Sequence, residues 1–144
     1  MALIKIIHNL NASTTGNRWA LLEHTDAPND PKGSHYDLLL EDGPCCRTWR
    51  LPQIPKLDSQ PIEAILLPSH RLQWLETKEA PVSGGKGFAK RVMQGIFIGN
   101  LPGNCDEPIH VYLQSPAIEG NLHIHSQLCE ISSINNRSNK RTTP

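Results

Sequence analysis

Twelve prolines and ten glycines punctuate this 144-residue chain, spread along its length rather than gathered into one linker. Proline has no amide hydrogen for a helix interior and glycine loses the most backbone freedom on ordering, so this spacing cuts the chain into short pieces. No window between them carries a long apolar stripe at i, i+3, i+4. What remains reads as strands: RWALLEH (18–24), HYDLLLE (35–41), CCRTWRL (45–51), EAILLP (63–68), GFAKRVMQ (87–94), GIFIGN (95–100), HVYLQ (110–114) and NLHIHSQLCEI (121–131). The expected architecture is mainly β, a small single-domain β-barrel of about eight strands with short helical or loop excursions.

Length and charge narrow the function classes. A chain of this size is one domain, able to bury about two-thirds of its extended-chain surface without a disulfide or a structural metal. Fourteen basic residues balance fourteen acidic ones, which excludes bulk attraction to polyanions or anionic membrane and leaves only local patches. The opening MALIKIIHNL is interrupted by Lys5 and His8 and has no small-residue cleavage site after it, so neither a cleaved leader nor a membrane span is expected. Cys45, Cys46, Cys105 and Cys129 contain no C-x-x-C pair, and adjacent cysteines rarely bridge; reduced thiols in a cytoplasm are expected. SSINNRSNKRTTP (132–144) carries Arg137, Lys140 and Arg141 around one sizeable apolar residue, Ile134, and is expected to be a flexible basic tail following a domain of residues 1–131.

The chemistry concentrates in SHYDLLLEDG (34–43). On a strand, His35, Asp37, Leu39 and Glu41 share one face, and a nitrogen beside a hard oxygen suits zinc, manganese or iron. His24 ends one strand and His35 opens the next, so a hairpin would bring the two imidazoles together. His70 follows a further strand. The glycines of SGGKG (83–87) can cradle phosphate or simply turn the chain, and the turn is the reading taken. His123 and His125 alternate with Leu122, Ile124 and Leu128, which marks a solvent-facing pair rather than a ligand set. Trp19 and Trp49 lie within strand-like runs and are expected in the core.

The order of these blocks resembles the 3'-phosphoesterase domain of bacterial ATP-dependent DNA ligase D, the enzyme of nonhomologous end joining. ALLEH, HYDLLLE, RTWRLPQIP, PSHRLQW, KEAPVSGGKG and VMQGIF follow that family's pattern over residues 18–97, and the H-Y-D-x-x-L-E block is the most specific. The resemblance implies a small β-barrel with a metal and a phosphate on one flank. It implies His24, His35 and Asp37 as ligands of Mn²⁺ or Zn²⁺, His70 as the residue contacting the scissile phosphate, and removal of a 3'-ribonucleotide and then a 3'-phosphate. The chain departs from the pattern in the longer loop between His24 and His35, in SHR and APVSGG, and at two single positions. The family's arginine falls on Leu39, which has no charge, and its tyrosine falls on Trp74, which offers an indole N–H instead of a hydroxyl. Arg71, beside His70, and Arg50, Lys86, Lys90 and Arg91 are candidate replacements for the lost cation.

Three functions stay open from these residues: a metal-dependent phosphoesterase on DNA or RNA 3' ends, a non-catalytic metal-containing module that binds nucleic acid or protein, and a metal domain unrelated to phosphate. The first is the leading expectation. It places His70 and Arg71 in catalysis and Trp74, Lys86 and Arg50 on the substrate. The protein is then a monomer without a membrane, and any role in end joining needs a partner ligase or polymerase.

Overall fold

A computed structural model describes residues 17–26, 28 and 33–133. The opening MALIKIIHNL and residues 134–144 of the expected tail lie outside them. The strands are β1 (Arg18–Thr25), β2 (Ser34–Asp42), β3 (Cys45–Leu51), β4 (Ile62–Glu63) and β5 (Ile65–Arg71). A short 3-10 helix (Leu72–Leu75) precedes β6 (Glu79–Pro81), the long β7 (Phe88–Ile98), β8 (Ile109–Gln114), β9 (Gly120–His125) and β10 (Leu128–Ser132). They form one antiparallel sheet in the order β4-β10-β9-β8-β7-β1-β2-β3-β5, with β6 added to β7.

The fold is mainly β, as expected, but the expected barrel does not form. The ladder stops at β4 on one side and β5 on the other, and these two are not sheet neighbours. They are one chain segment split at Ala64, whose amide is taken by the Gln127 carbonyl at 2.9 Å. Beside the split lies a cavity of about 300 Å³ whose walls include Trp49, Ala64, Leu66, Ile109, Ile124 and Gln127.

Ten strands replace the expected eight for local reasons. EAILLP breaks at Ala64 into β4 and β5. GFAKRVMQ and GIFIGN fuse into β7, where Gly95 runs so close to β8 that a Cβ would stand 2.0 Å from the Gln114 carbonyl oxygen. NLHIHSQLCEI folds back on itself at Ser126 and Gln127, both at positive φ (52° and 63°). β6 was not expected. The first two residues assigned to the expected tail are held by the fold: Ser132 is buried in β10, and the Ser133 amide donates to Asp58 Oδ1 at 3.0 Å.

Strand alternation sorts the apolar residues onto two faces. The larger cluster joins Trp19, Leu21, Leu38, Leu40 and Trp49 to the inward residues of β8, β9 and β10, which puts both tryptophans in the core as expected. The smaller one, on the other face, holds Ala20, Leu22, Leu39, Cys46, Leu75 and Ala89, with Leu72, Trp74 and Val82 packed against it. Leu38, Leu39 and Leu40 are therefore all buried, because β2 is covered on both sides. The 3-10 helix contributes Leu72, Trp74 and Leu75 to this smaller cluster. Among the described residues no helix is long and apolar enough to cross a membrane, and all four cysteines are free.

Candidate metal centre

Register assembles the site. β1 and β2 pair His24 with His35 and Leu22 with Asp37, while β2 and β3 pair Asp37 with Arg50. Directly opposed residues project to the same side, so all four polar residues stand on the face of the smaller cluster. His35 and Asp37 are buried there, at 3% and 4% exposure.

His24 is held from outside. Its Nε2 lies 2.7 Å from the Lys86 carbonyl oxygen, which can only accept, so Nε2 carries the hydrogen and Nδ1 is turned inward. Nδ1 then lies 3.1 Å from His35 Nε2 and 3.7 Å from Asp37 Oδ2. Asp37 raises the proton affinity of His24 above its ordinary value, burial opposes this, and the Lys86 carbonyl adds to it. For Asp37 burial works against the charge, but the imidazoles of His24, His35 and His70 outweigh it and hold the carboxyl below the usual carboxylate range. The SGGKG turn is where Lys86 gets its reach. Gly87, at φ +98°, passes so close to β1 that a Cβ would sit 2.2 Å from the Thr25 carbonyl oxygen.

His70 reaches the same carboxylate through an irregularity in β5. Thr48 pairs with Leu67 but Cys46 pairs with His70, so two steps on β3 span three on β5. This β-bulge flips the alternation and puts His70, rather than Ser69, on the face of Asp37. Pro68, with no amide hydrogen to give a ladder, lies in the irregular stretch. His70 Nδ1 lies 3.1 Å from the Pro68 carbonyl oxygen, and its Nε2 lies 3.7 Å from Asp37 Oδ2.

The other expected site residues are distributed unevenly. Arg71 pairs with Cys45, one step from His70, and so projects to the opposite face of β5 from Asp37; it is not brought to the site. Trp74 packs on the smaller apolar cluster, on the same face of the sheet as the centre. Lys86 contributes its carbonyl, while its side chain is exposed. Of the remaining cations, Arg91 is occupied in bracing the 3-10 helix, donating to the Leu75 carbonyl at 3.2 Å. Leu39 is wholly buried among Ala20, Leu22, Cys46, Leu75 and Ala89, on the site's face but under the 3-10 helix. Glu41, further along β2, is taken by Arg18 in a two-pronged ion pair at 2.8 and 3.0 Å.

Arg50 is different. It stands directly across from Asp37, and its Nε is buried with no hydrogen-bond partner among the described residues. Asp37 Oδ1 is also buried without a hydrogen bond among the described residues, though it stands 3.2 Å from His35 Nε2 as an ion-pair contact. A divalent ion fits this donor set. His24, His35 and Asp37 present donor atoms within 4.8 Å of one another, the one group so close among the described residues. Two imidazole nitrogens and a carboxylate are a ligand set for zinc or manganese, with Asp37 Oδ1 left to receive the charge.

The resemblance in block order, rather than spacing alone, pointed to the His24, His35 and Asp37 group. It did not point to the Lys86 carbonyl, since any residue supplies one, nor to the bulge, for which Pro68 was the available signal. Comparison with known proteins finds no family model and no curated protein that matches the chain.

Proposed function

We propose that the protein is a metal-dependent 3'-phosphoesterase-like hydrolase acting on 3'-phosphate or 3'-ribonucleotide ends of DNA or RNA. The observation that carries this reading is a pair of opposed buried atoms without hydrogen bonds, Asp37 Oδ1 and Arg50 Nε. Leaving such groups unmet costs about 1–3 kcal/mol each. A cation satisfies the first and an anion the second, so a metal with a bound phosphate satisfies both.

His24 Nδ1, His35 Nε2 and Asp37 would hold Mn²⁺ or Zn²⁺, which supplies Lewis acidity toward phosphoryl oxygens. Arg50 takes the anion-binding work that Leu39 cannot do, from the neighbouring strand instead of from β2. His70 Nε2, directed at the same carboxylate, is placed to hydrogen-bond a phosphoryl oxygen and to hand a proton to the leaving 3'-oxygen as water attacks phosphorus. The exposed Lys86 ammonium and the Trp74 ring flank the approach of the strand. Arg71, on the far face, takes no part. The protein would act as a monomer in a reducing cytoplasm, and the 3'-hydroxyl left on the nucleic acid would serve a ligase or polymerase.

The test is hydrolysis of a primer–template bearing a 3'-phosphate or one 3'-ribonucleotide, with Mn²⁺ or Zn²⁺ added, in wild type, His35→Ala and Arg50→Ala. Turnover should vanish in His35→Ala and fall at least tenfold in Arg50→Ala, mostly through KM. Equal turnover in wild type and His35→Ala overturns the assignment. The burial of Leu39 under an apolar roof favours a second reading, a non-catalytic metal-containing module that binds nucleic acid or protein. No turnover together with His35-dependent metal binding selects it.

A further inference from the structure

Six of the seven histidines gather in two places, and the second is far from Asp37 in the sheet order. On β8, β9 and β10, register sets His110 opposite His123 and His123 opposite Glu130, with His125 two residues beyond His123 on the same strand face. This is the outer face, since Ile109, Val111, Leu122, Ile124 and Cys129 alternate with these residues and lie in the core. Leu128, expected in the buried set, is instead exposed on this outer face.

One of the two ring spacings suits a shared ion as it stands, and the other lies just outside the range that does. The rings of His123 and His125 are 4.5 Å apart between centres and those of His110 and His123 are 5.6 Å apart, while His123 Nδ1 is 3.8 Å from Glu130 Oε2. With metal–nitrogen bonds of about 2.0–2.1 Å, each ring centre lies about 3.2 Å from the ion, so two rings sharing it stand about 4.5–5.2 Å apart. The group is looser than the one at Asp37, but His110 and His125 are exposed and their rings turn at little cost. Opposed strands and the i, i+2 repeat fix the four Cβ positions, which is the part an ion cannot rearrange.

We infer that His110, His123, His125 and Glu130 form a second, surface site for a divalent transition metal, with His123 at its centre. Three imidazoles and one carboxylate select zinc, copper(II) or nickel over magnesium or calcium. An ion there would tie three adjacent strands together and so raise thermal stability by mass action.

Calorimetric titration with Zn²⁺ alone decides it, using wild type, His35→Ala, the surface variant His123→Asn and the double variant. Two equivalents are expected in wild type, one in each single variant and none in the double. A stoichiometry unchanged by His123→Asn, or no binding by folded His35→Ala, overturns the second site. If His35→Ala does not fold, the comparison of wild type with His123→Asn still counts equivalents. One equivalent that depends on His123 and not on His35 would keep this site and sink the first.

Discussion

At the scale of single residues, two positions carry more than their size suggests. Gly87 cannot take a side chain where it stands, because its Cβ would collide with the Thr25 carbonyl and its φ of +98° is closed to alanine. Gly87→Ala should push the turn away from β1, release His24 from the Lys86 carbonyl and weaken zinc binding about 10–100-fold, the usual effect of losing a ligand's outer partner. Calorimetric titration checks this, and unchanged affinity would mean that Lys86 does not orient His24. Leu39 fills the middle of β2 on the face of Asp37. Leu39→Ala should cost about 2–5 kcal/mol of stability, read by urea unfolding, since it empties the centre of the smaller cluster. Leu39→Arg should fare no better, because it buries a charge under Leu75 while the neighbouring Glu41 carboxylate is already taken by Arg18. On the proposed reading, Arg50 would do the work of the resembling family's arginine from the neighbouring strand and in a different geometry.

The elements show what strand patterning reveals and what it conceals. β1, β2 and β3 were legible to within two residues because their apolar residues alternate or, in β2, run continuously between turn signals. His24, His35 and Asp37 came with them through the order of the blocks, and the β1–β2 register pairs His24 with His35 across an eight-residue connection. The β9–β10 hairpin was hidden: Ser126 and Gln127 are not the Asn-Gly pair that usually marks a turn with two positive φ values. Replacing them with Asn-Gly should remove that strain and raise stability by about 1–2 kcal/mol, visible as a higher melting temperature. The side of β5 that His70 occupies was hidden as well, because a bulge changes parity without changing composition, and that is why Arg71 looked available. On β10 burial pushes the Cys129 thiol up to about 12, and on β3 burial, helped by Glu41, does the same for Cys46. Iodoacetamide at pH 8 should therefore label the exposed Cys105 while sparing these two until the protein is unfolded, as mass spectrometry of the peptides would show. Early labelling of Cys129 would mean that β10 opens in the native state.

For the whole molecule, the absence of net charge means that a nucleic-acid end, on the proposed reading, would be held by local contacts only. Binding that rests on Arg50 and His70, with Lys86 on the approach, would involve about two to three phosphate contacts, so log K should fall with log salt at a slope of only about −1.4 to −2.1 on single strands. A much steeper slope, measured by fluorescence anisotropy, would reveal a wider basic surface than the described residues provide. The open sheet has its own consequence. Its two margins are neighbours in the chain, separated by Ala64 alone, and they meet at the cavity walled by Trp49, Ile109 and Ile124. Neither margin can fray independently, because loosening β4 pulls on the first residue of β5. Amide protons of Ile62, Glu63, Ala64 and Ile65 should then exchange with deuterium in a single correlated event, and a small apolar molecule wedged into that corner would slow all four together.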